Sequence, residues 1–155
     1  FRRVLFRSKR KRSSLMDKMS FGSFNKAFAP NRTAFDWLSR DDAEVDAYIA
    51  DPYCGFVCTA GFFGDLLHGI RLINDPAQVA KVPRDLPVLL FSGALDPVGN
   101  NGKGVREVAE QFRAAGLRDV SVTLYPEARH EILNETNRDE VTDDLIAWLD
   151  EHQPA

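Results

Sequence analysis

Two short apolar segments with one amphipathic helix between them constrain this chain more than anything else in it. Val88-Leu-Leu-Phe-Ser92 is bounded by Pro87 and Gly93, the pattern of a strand buried on both faces, as in a parallel sheet. Val120-Ser-Val-Thr-Leu-Tyr125 alternates, is rich in β-branched residues and is closed by Pro126, so it reads as a second strand. Between them Val105, Val108, Ala109, Phe112 and Ala115 recur at helical spacing, and Gly116 supplies the stop. The three segments make a βαβ unit of an α/β fold, and such units have parallel strands and a right-handed crossover.

That topology has a chemical consequence. Both strands end at the same rim, and the carboxyl ends of strands are where open α/β sheets keep ligand crevices and catalytic groups. The first strand is followed by Gly93-Ala-Leu-Asp96-Pro97 and the second by Glu127-Ala-Arg-His130-Glu131. Asp96 alone can simply close its own turn, as Asp before Pro does, and a lone loop histidine is usually a solvated one. Emerging together, they form a candidate general base whose imidazole is oriented by a carboxylate.

Pro87-Val-Leu-Leu-Phe-Ser-Gly-Ala-Leu-Asp-Pro-Val-Gly99 and Tyr125-Pro-Glu-Ala-Arg-His-Glu-Ile-Leu-Asn-Glu135 resemble the C-terminal half of an α/β-hydrolase, in the lysophospholipase, monoacylglycerol lipase and serine aminopeptidase-like branch. Ser20-Phe-Gly-Ser-Phe-Asn-Lys26, Phe35-Asp-Trp-Leu-Ser-Arg-Asp41 and Asp51-Pro-Tyr-Cys-Gly-Phe56 are similar to that branch's lid. The resemblance covers roughly residues 9 to 150. It implies that Asp96 is the acid and His130 the base of a Ser-His-Asp triad, that a small-molecule or lipid ester is the substrate, and that no cofactor or metal is needed.

The serine is another matter. The hydrolase fold places its nucleophile in Gly-x-Ser-x-Gly on a strand-to-helix elbow, and no such pentapeptide occurs in the 155 residues. Ser23 and Ser92 lack the flanking glycines, and Ser92 lies on the acid's own strand. The oxyanion-hole loop is missing as well. The sequence therefore reads as the helical lid, the last βαβ unit and the final helix of an α/β-hydrolase truncated at its N-terminus. Residues 1–8 resemble the in-frame translation of a sequencing adapter and are expected to be non-native; residues 9–82 form the lid region and residues 83–155 the C-terminal core. With the nucleophile unseen, two other readings stay open: a hydrolase-fold enzyme with an aspartate nucleophile (dehalogenase or epoxide hydrolase), or a non-catalytic interaction module.

The remaining sequence supplies packing. Residues 13 to 38 read as loop with short helical pieces. Ser39 is expected to cap a helix with a buried stripe of Val45, Tyr48 and Ile49, ended at Asp51-Pro52. Phe62, Phe63, Leu66, Leu67, Ile70 and Ile73 mark a further helix to about residue 73, and Asn74-Asp75-Pro76 stops it and starts a short one. Asn137 with Glu140 resembles a capping box before a last helix packed through Val141, Leu145, Trp148 and Leu149. Aromatic residues concentrate in the first region, and Phe24, Phe28 and Phe62 are candidates to line an acyl pocket, although most such residues merely pack. The lid is also where a peripheral membrane contact would form.

Charge and cysteines narrow the classes. A net charge of −3 is poor for nucleic-acid binding. The basic cluster from Arg2 to Arg12 is followed by no groove-reading module, so no nucleic-acid partner is expected. Cys54 and Cys58 fit neither a zinc site nor a CxxC motif and are expected to be buried free thiols. No apolar run has the 18 or so residues of a membrane span and no cleavable signal is recognisable, which makes a cytoplasmic location the default.

Overall fold

The computed structural model of the chain describes residues 8–153. Most of the segment read as non-native, residues 1–7, lies outside the described residues. Strand β1 (Val88–Gly93) and strand β2 (Val120–Tyr125) pair in parallel, in register from Val88 opposite Val120 to Gly93 opposite Tyr125. They form the one sheet among the described residues.

Five helices surround and precede them, and their ends follow capping chemistry. Helix α1 (Ser14–Phe21) is capped by the Ser13 hydroxyl, which accepts from the Met16 N–H, and a 3-10 turn (Phe24–Phe28) follows. Helix α2 (Asp42–Ala50) is capped by Asp41 rather than Ser39. Asp41 accepts from the Ala43 N–H at 3.0 Å, whereas the Ser39 hydroxyl is already committed: it donates to the Asn134 carbonyl at 2.7 Å and accepts from Asp41 N–H at 2.9 Å. Helix α3 (Ala60–Ile73) starts at a Thr59 cap, and the short α4 (Pro76–Val79) at an Asp75 cap with proline in its first turn. Helix α5 (Lys103–Ala114) crosses between the strands and packs on both, and Gly116 ends the crossover at φ +98°, a backbone conformation that glycine adopts without steric cost. A sixth helix, α6 (Arg138–Glu151), closes the chain.

The core gathers around the end of β2. Tyr125, Ala128, Ile132 and Val141 are buried together with Phe91 against them. The Tyr125 hydroxyl donates to Asp144 on α6 at 3.0 Å; burial, then the Asp144 carboxylate, pushes the phenol up to about 12, so it remains a donor. Asn137 is not a capping box: its amide donates to the Glu140 carboxylate and its side chain caps no backbone N–H.

Several packing expectations fail for one physical reason, that apolar periodicity names a face but not its partner. Val45 is buried but Ile49 is largely exposed. On α3 only Ala60 and Phe63 are buried, while Phe62, Leu66, Leu67, Ile70 and Ile73 face outward. Val88 to Phe91 of β1 are half-buried rather than enclosed. Cys54 and Cys58 are free thiols, half-buried rather than buried. Among the described residues no helix is long and apolar enough to cross a membrane.

At the C-terminal end of α6 the His152 ring stacks on Trp148, with Nδ1 at 2.6 Å from the Trp148 carbonyl and Nε2 at 3.0 Å from Asp119. The Trp148 carbonyl, then the Asp119 carboxylate, raise the imidazole above its ordinary 6.5 despite partial burial. A histidine whose folded pKa is raised stabilises the fold fully below its unfolded value and loses that contribution as pH rises through the folded value. His152→Gln should therefore lower the thermal midpoint of the gene product carrying this chain more at pH 5.5 than at pH 9. An equal loss at both pH values would show that only ring packing matters there.

Candidate active site

The turn after β1 and the loop after β2 are stitched together by backbone. Ala94 N–H donates to the Tyr125 carbonyl at 2.9 Å and Leu95 N–H to the Ala128 carbonyl at 3.0 Å. The approach is so close that a Cβ on Gly93 would stand under 3.0 Å from the carbonyl oxygens of Ala128 and Arg129. Glycine at the end of β1 is thus required by contact with the neighbouring loop.

This stitching brings Asp96 and His130 together from positions 34 residues apart. Both carboxylate oxygens of Asp96 lie 3.1 Å from His130 Nδ1. Asp96 is only 5% exposed. Its Oδ1 also accepts from Val98 N–H at 2.8 Å, and the Ser92 hydroxyl stands 3.5 Å from Oδ2. Burial by itself would push the Asp96 carboxyl up, but hydrogen bonds from His130 and from the N–H groups of Val98 and Gly99 outweigh it and hold the carboxyl below its ordinary value. Asp96 is therefore an anion at neutral pH, able to fix the imidazole with its proton on Nδ1 and leave Nε2 to exchange protons.

The histidine's backbone is fixed as firmly as its ring. His130 N–H donates to the Trp37 carbonyl at 3.4 Å and Glu131 N–H to the Leu38 carbonyl at 2.8 Å, and the Trp37 ring lies against the imidazole at 5.1 Å between centroids. The aromatic residues continue outward as a ladder: Trp37 meets Phe24 at 5.1 Å, Phe24 meets Phe21 at 6.1 Å, Phe21 meets Phe63 at 6.0 Å, and Phe63 meets Phe62 at 5.5 Å. Of the three phenylalanines singled out from sequence, Phe24 is one ring removed from His130, Phe28 lies beneath the Arg129 guanidinium at 4.3 Å, and Phe62 sits at the outer end of the ladder. A cavity of about 440 Å³ opens beside Trp37, with Phe21, Phe35, Tyr48 and Phe56 in its walls, within the size range of ligand pockets.

Ser92, Ser23 and Cys54 are poorly placed to act as nucleophiles. Ser92 is buried, with its hydroxyl toward Asp96 and the Gly93 carbonyl. Ser23 is exposed in the turn after α1. Partial burial, then Asp51, push the Cys54 thiol up, opposite to what a reactive thiolate needs. Among the described residues no group of three or more His, Cys, Asp or Glu side chains converges as metal ligands would. What sequence reasoning missed is Glu135, a fully buried carboxylate beside the histidine loop, with its partners Arg40 and Arg129.

Known proteins share this arrangement of elements. The chain superposes on the highly thermostable carboxyl esterase from Bacillus coagulans with TM-score 0.86 at 25% identity, over 97% of this chain and 49% of that one. A lipase solved in an open form gives TM-score 0.81 at 26% identity, over 97% and 49%. A soluble variant of monoglyceride lipase from Saccharomyces cerevisiae, at 24% identity and TM-score 0.65 over 90% and 50%, shares the fold. The chain spans about half the length of each of these structures. A family model, that of the serine aminopeptidase, S33, matches residues 2–137. On that match and on its α/β-hydrolase fold, the chain belongs to the serine aminopeptidase S33 family.

Proposed function

We propose that this chain is the acid- and base-bearing half of a serine hydrolase that cleaves carboxylic esters, with Asp96 as triad acid and His130 as general base. The observation that carries the proposal is the Asp96 carboxylate held at 3.1 Å from His130 Nδ1, at the rim where the two strands end. In the complete enzyme the serine and the oxyanion donors come from residues upstream of these 155. His130 Nε2 takes the serine proton as the oxygen attacks the ester carbonyl. It returns that proton to the departing alcohol, then takes one from water as the water attacks the acyl-enzyme and passes it to the serine oxygen as the acyl–oxygen bond breaks, so that serine is restored and the acid is released. Asp96 remains ionised throughout and stabilises the imidazolium.

The substrate is a small or lipid ester, most in keeping with a lysophospholipase or monoacylglycerol lipase. The cavity beside Trp37, apolar in most of its lining residues, suits an acyl chain, and the outward-facing apolar residues of α3 suit a peripheral membrane contact. Support also comes from the esterase and the lipase that the chain matches at 25% and 26% identity.

The test is to complete the gene from genomic DNA and assay the product. We expect turnover of p-nitrophenyl esters and monoacylglycerol and labelling of one serine by a fluorophosphonate. Turnover of haloalkanes or epoxides without serine labelling would overturn the serine reading in favour of an aspartate nucleophile. No turnover of any of these would favour a non-catalytic module.

A further inference from the structure

We propose that Glu135 is a positioning residue for the Asp96–His130 pair, locking the histidine loop to the segment that carries Trp37; the inference rests on the reading of that pair given above. Glu135 is 0% exposed, and every polar contact of its carboxylate is with one of these two segments or its own turn. One oxygen accepts from the Arg129 N–H at 2.7 Å and the Arg40 N–H at 3.2 Å. The other accepts from Arg40 Nε at 2.8 Å and from Thr136 N–H at 3.2 Å. Arg129 immediately precedes His130, and Arg40 lies three residues after Trp37. Arg129 reaches back with its guanidinium to the carbonyls of Asp36 and Ser39, so the two segments are joined in both directions.

A wholly buried carboxylate is costly unless it is paired and hydrogen bonded, and for stability alone an apolar side chain of similar size often serves as well. What the carboxylate adds is direction. It fixes the N–H of Arg129, while the carbonyls of Trp37 and Leu38 fix the N–H groups of His130 and Glu131. Three consecutive backbone groups around the imidazole are thereby held, and displacements of about 1 Å in a catalytic group can cost on the order of 10²-fold in rate.

The test uses the gene product carrying this chain, with Glu135→Gln and Glu135→Asp. The first readout is the low-field proton resonance of His130 Nδ1–H, which requires a fixed hydrogen bond to Asp96 but no substrate. We expect Glu135→Gln to broaden or abolish it and to lower kcat by about 10- to 100-fold with KM changed less than about threefold. Glu135→Asp, which keeps the charge, should recover part of both. A resonance unchanged in Glu135→Gln, whatever happens to kcat, overturns the proposal, as would its absence from the parent. A resonance lost in the variant of a parent that hydrolyses no ester would leave the positioning role standing and sink only the ester reading. If Glu135→Gln fails to fold, Arg40→Lys decides: of the contacts to the Glu135 carboxylate it removes only the one from Nε, and an unchanged resonance there also overturns the proposal.

Discussion

Asp96→Asn and His130→Ala should each remove nearly all ester turnover from the gene product that carries this chain, by about 10⁴-fold if serine proteases are a guide to the acid-to-amide change. The argument for Asp96 is one of tautomers. With a carboxylate at 3.1 Å, Nδ1 keeps its proton and Nε2 its lone pair. An amide puts a donor beside Nδ1 where one of the two carboxylate oxygens stood, weakens the hold on the Nδ1 proton and removes the charge that stabilises the imidazolium. The fold should survive, because the remaining amide oxygen can still accept from Val98 N–H, whose bond to Asp96 is now 2.8 Å. Turnover of a short-chain p-nitrophenyl ester together with circular dichroism checks both variants. Either one retaining more than about a tenth of parental kcat with an intact spectrum is not in the triad.

The 155-residue chain expressed by itself should fail to react with a fluorophosphonate and should be insoluble or molten. The reactive probe needs a serine activated by a base and an oxyanion site, and neither Ser92, turned to Asp96, nor exposed Ser23 is hydrogen bonded to His130 among the described residues. The physical state follows from the surface. Along α3, Leu67, Ile70 and Ile73 are 56%, 46% and 68% exposed, and among the described residues β1 has a strand on one edge only. A two-stranded sheet is marginal in water, and an open apolar edge is a template for aggregation. Gel filtration and dye binding report the state, and mass spectrometry reports the label. Stoichiometric labelling would mean that a serine of this chain is the nucleophile, and the division of the triad proposed above would have to be abandoned.

What was legible in the sequence was local. β1, α5 and β2 follow from a run, a period and an alternation, each within a dozen residues, and the parallel pairing follows from the length of the crossover. The meeting of Asp96 with His130 was legible because topology alone sends both loops to one rim. The clamp behind them was not. Glu135 ends Ile132-Leu-Asn-Glu135, where a glutamate ordinarily faces solvent, and its partner Arg40 lies 95 residues away. No periodicity links such positions, and only the docking of the two segments makes the carboxylate buried. The α2 cap was misread for the same reason: Ser39 has cap chemistry, but the distant Asn134 carbonyl takes its hydroxyl. The outward face of α3 shows the complementary limit, since amphipathicity states that a face seeks cover without stating what covers it.

Both tryptophans of the sequence rest on histidine rings, Trp37 against His130 at 5.1 Å and Trp148 against His152 at 4.1 Å. An excited indole is quenched by an adjacent imidazolium far more than by neutral imidazole. The two indoles of this chain therefore report on two histidine sites, the proposed base and the end of the last helix. Replacing Trp148 by phenylalanine would leave Trp37, in contact with His130, as the one indole of these 155 residues, a built-in optical probe of the proposed base's surroundings that needs neither substrate nor label.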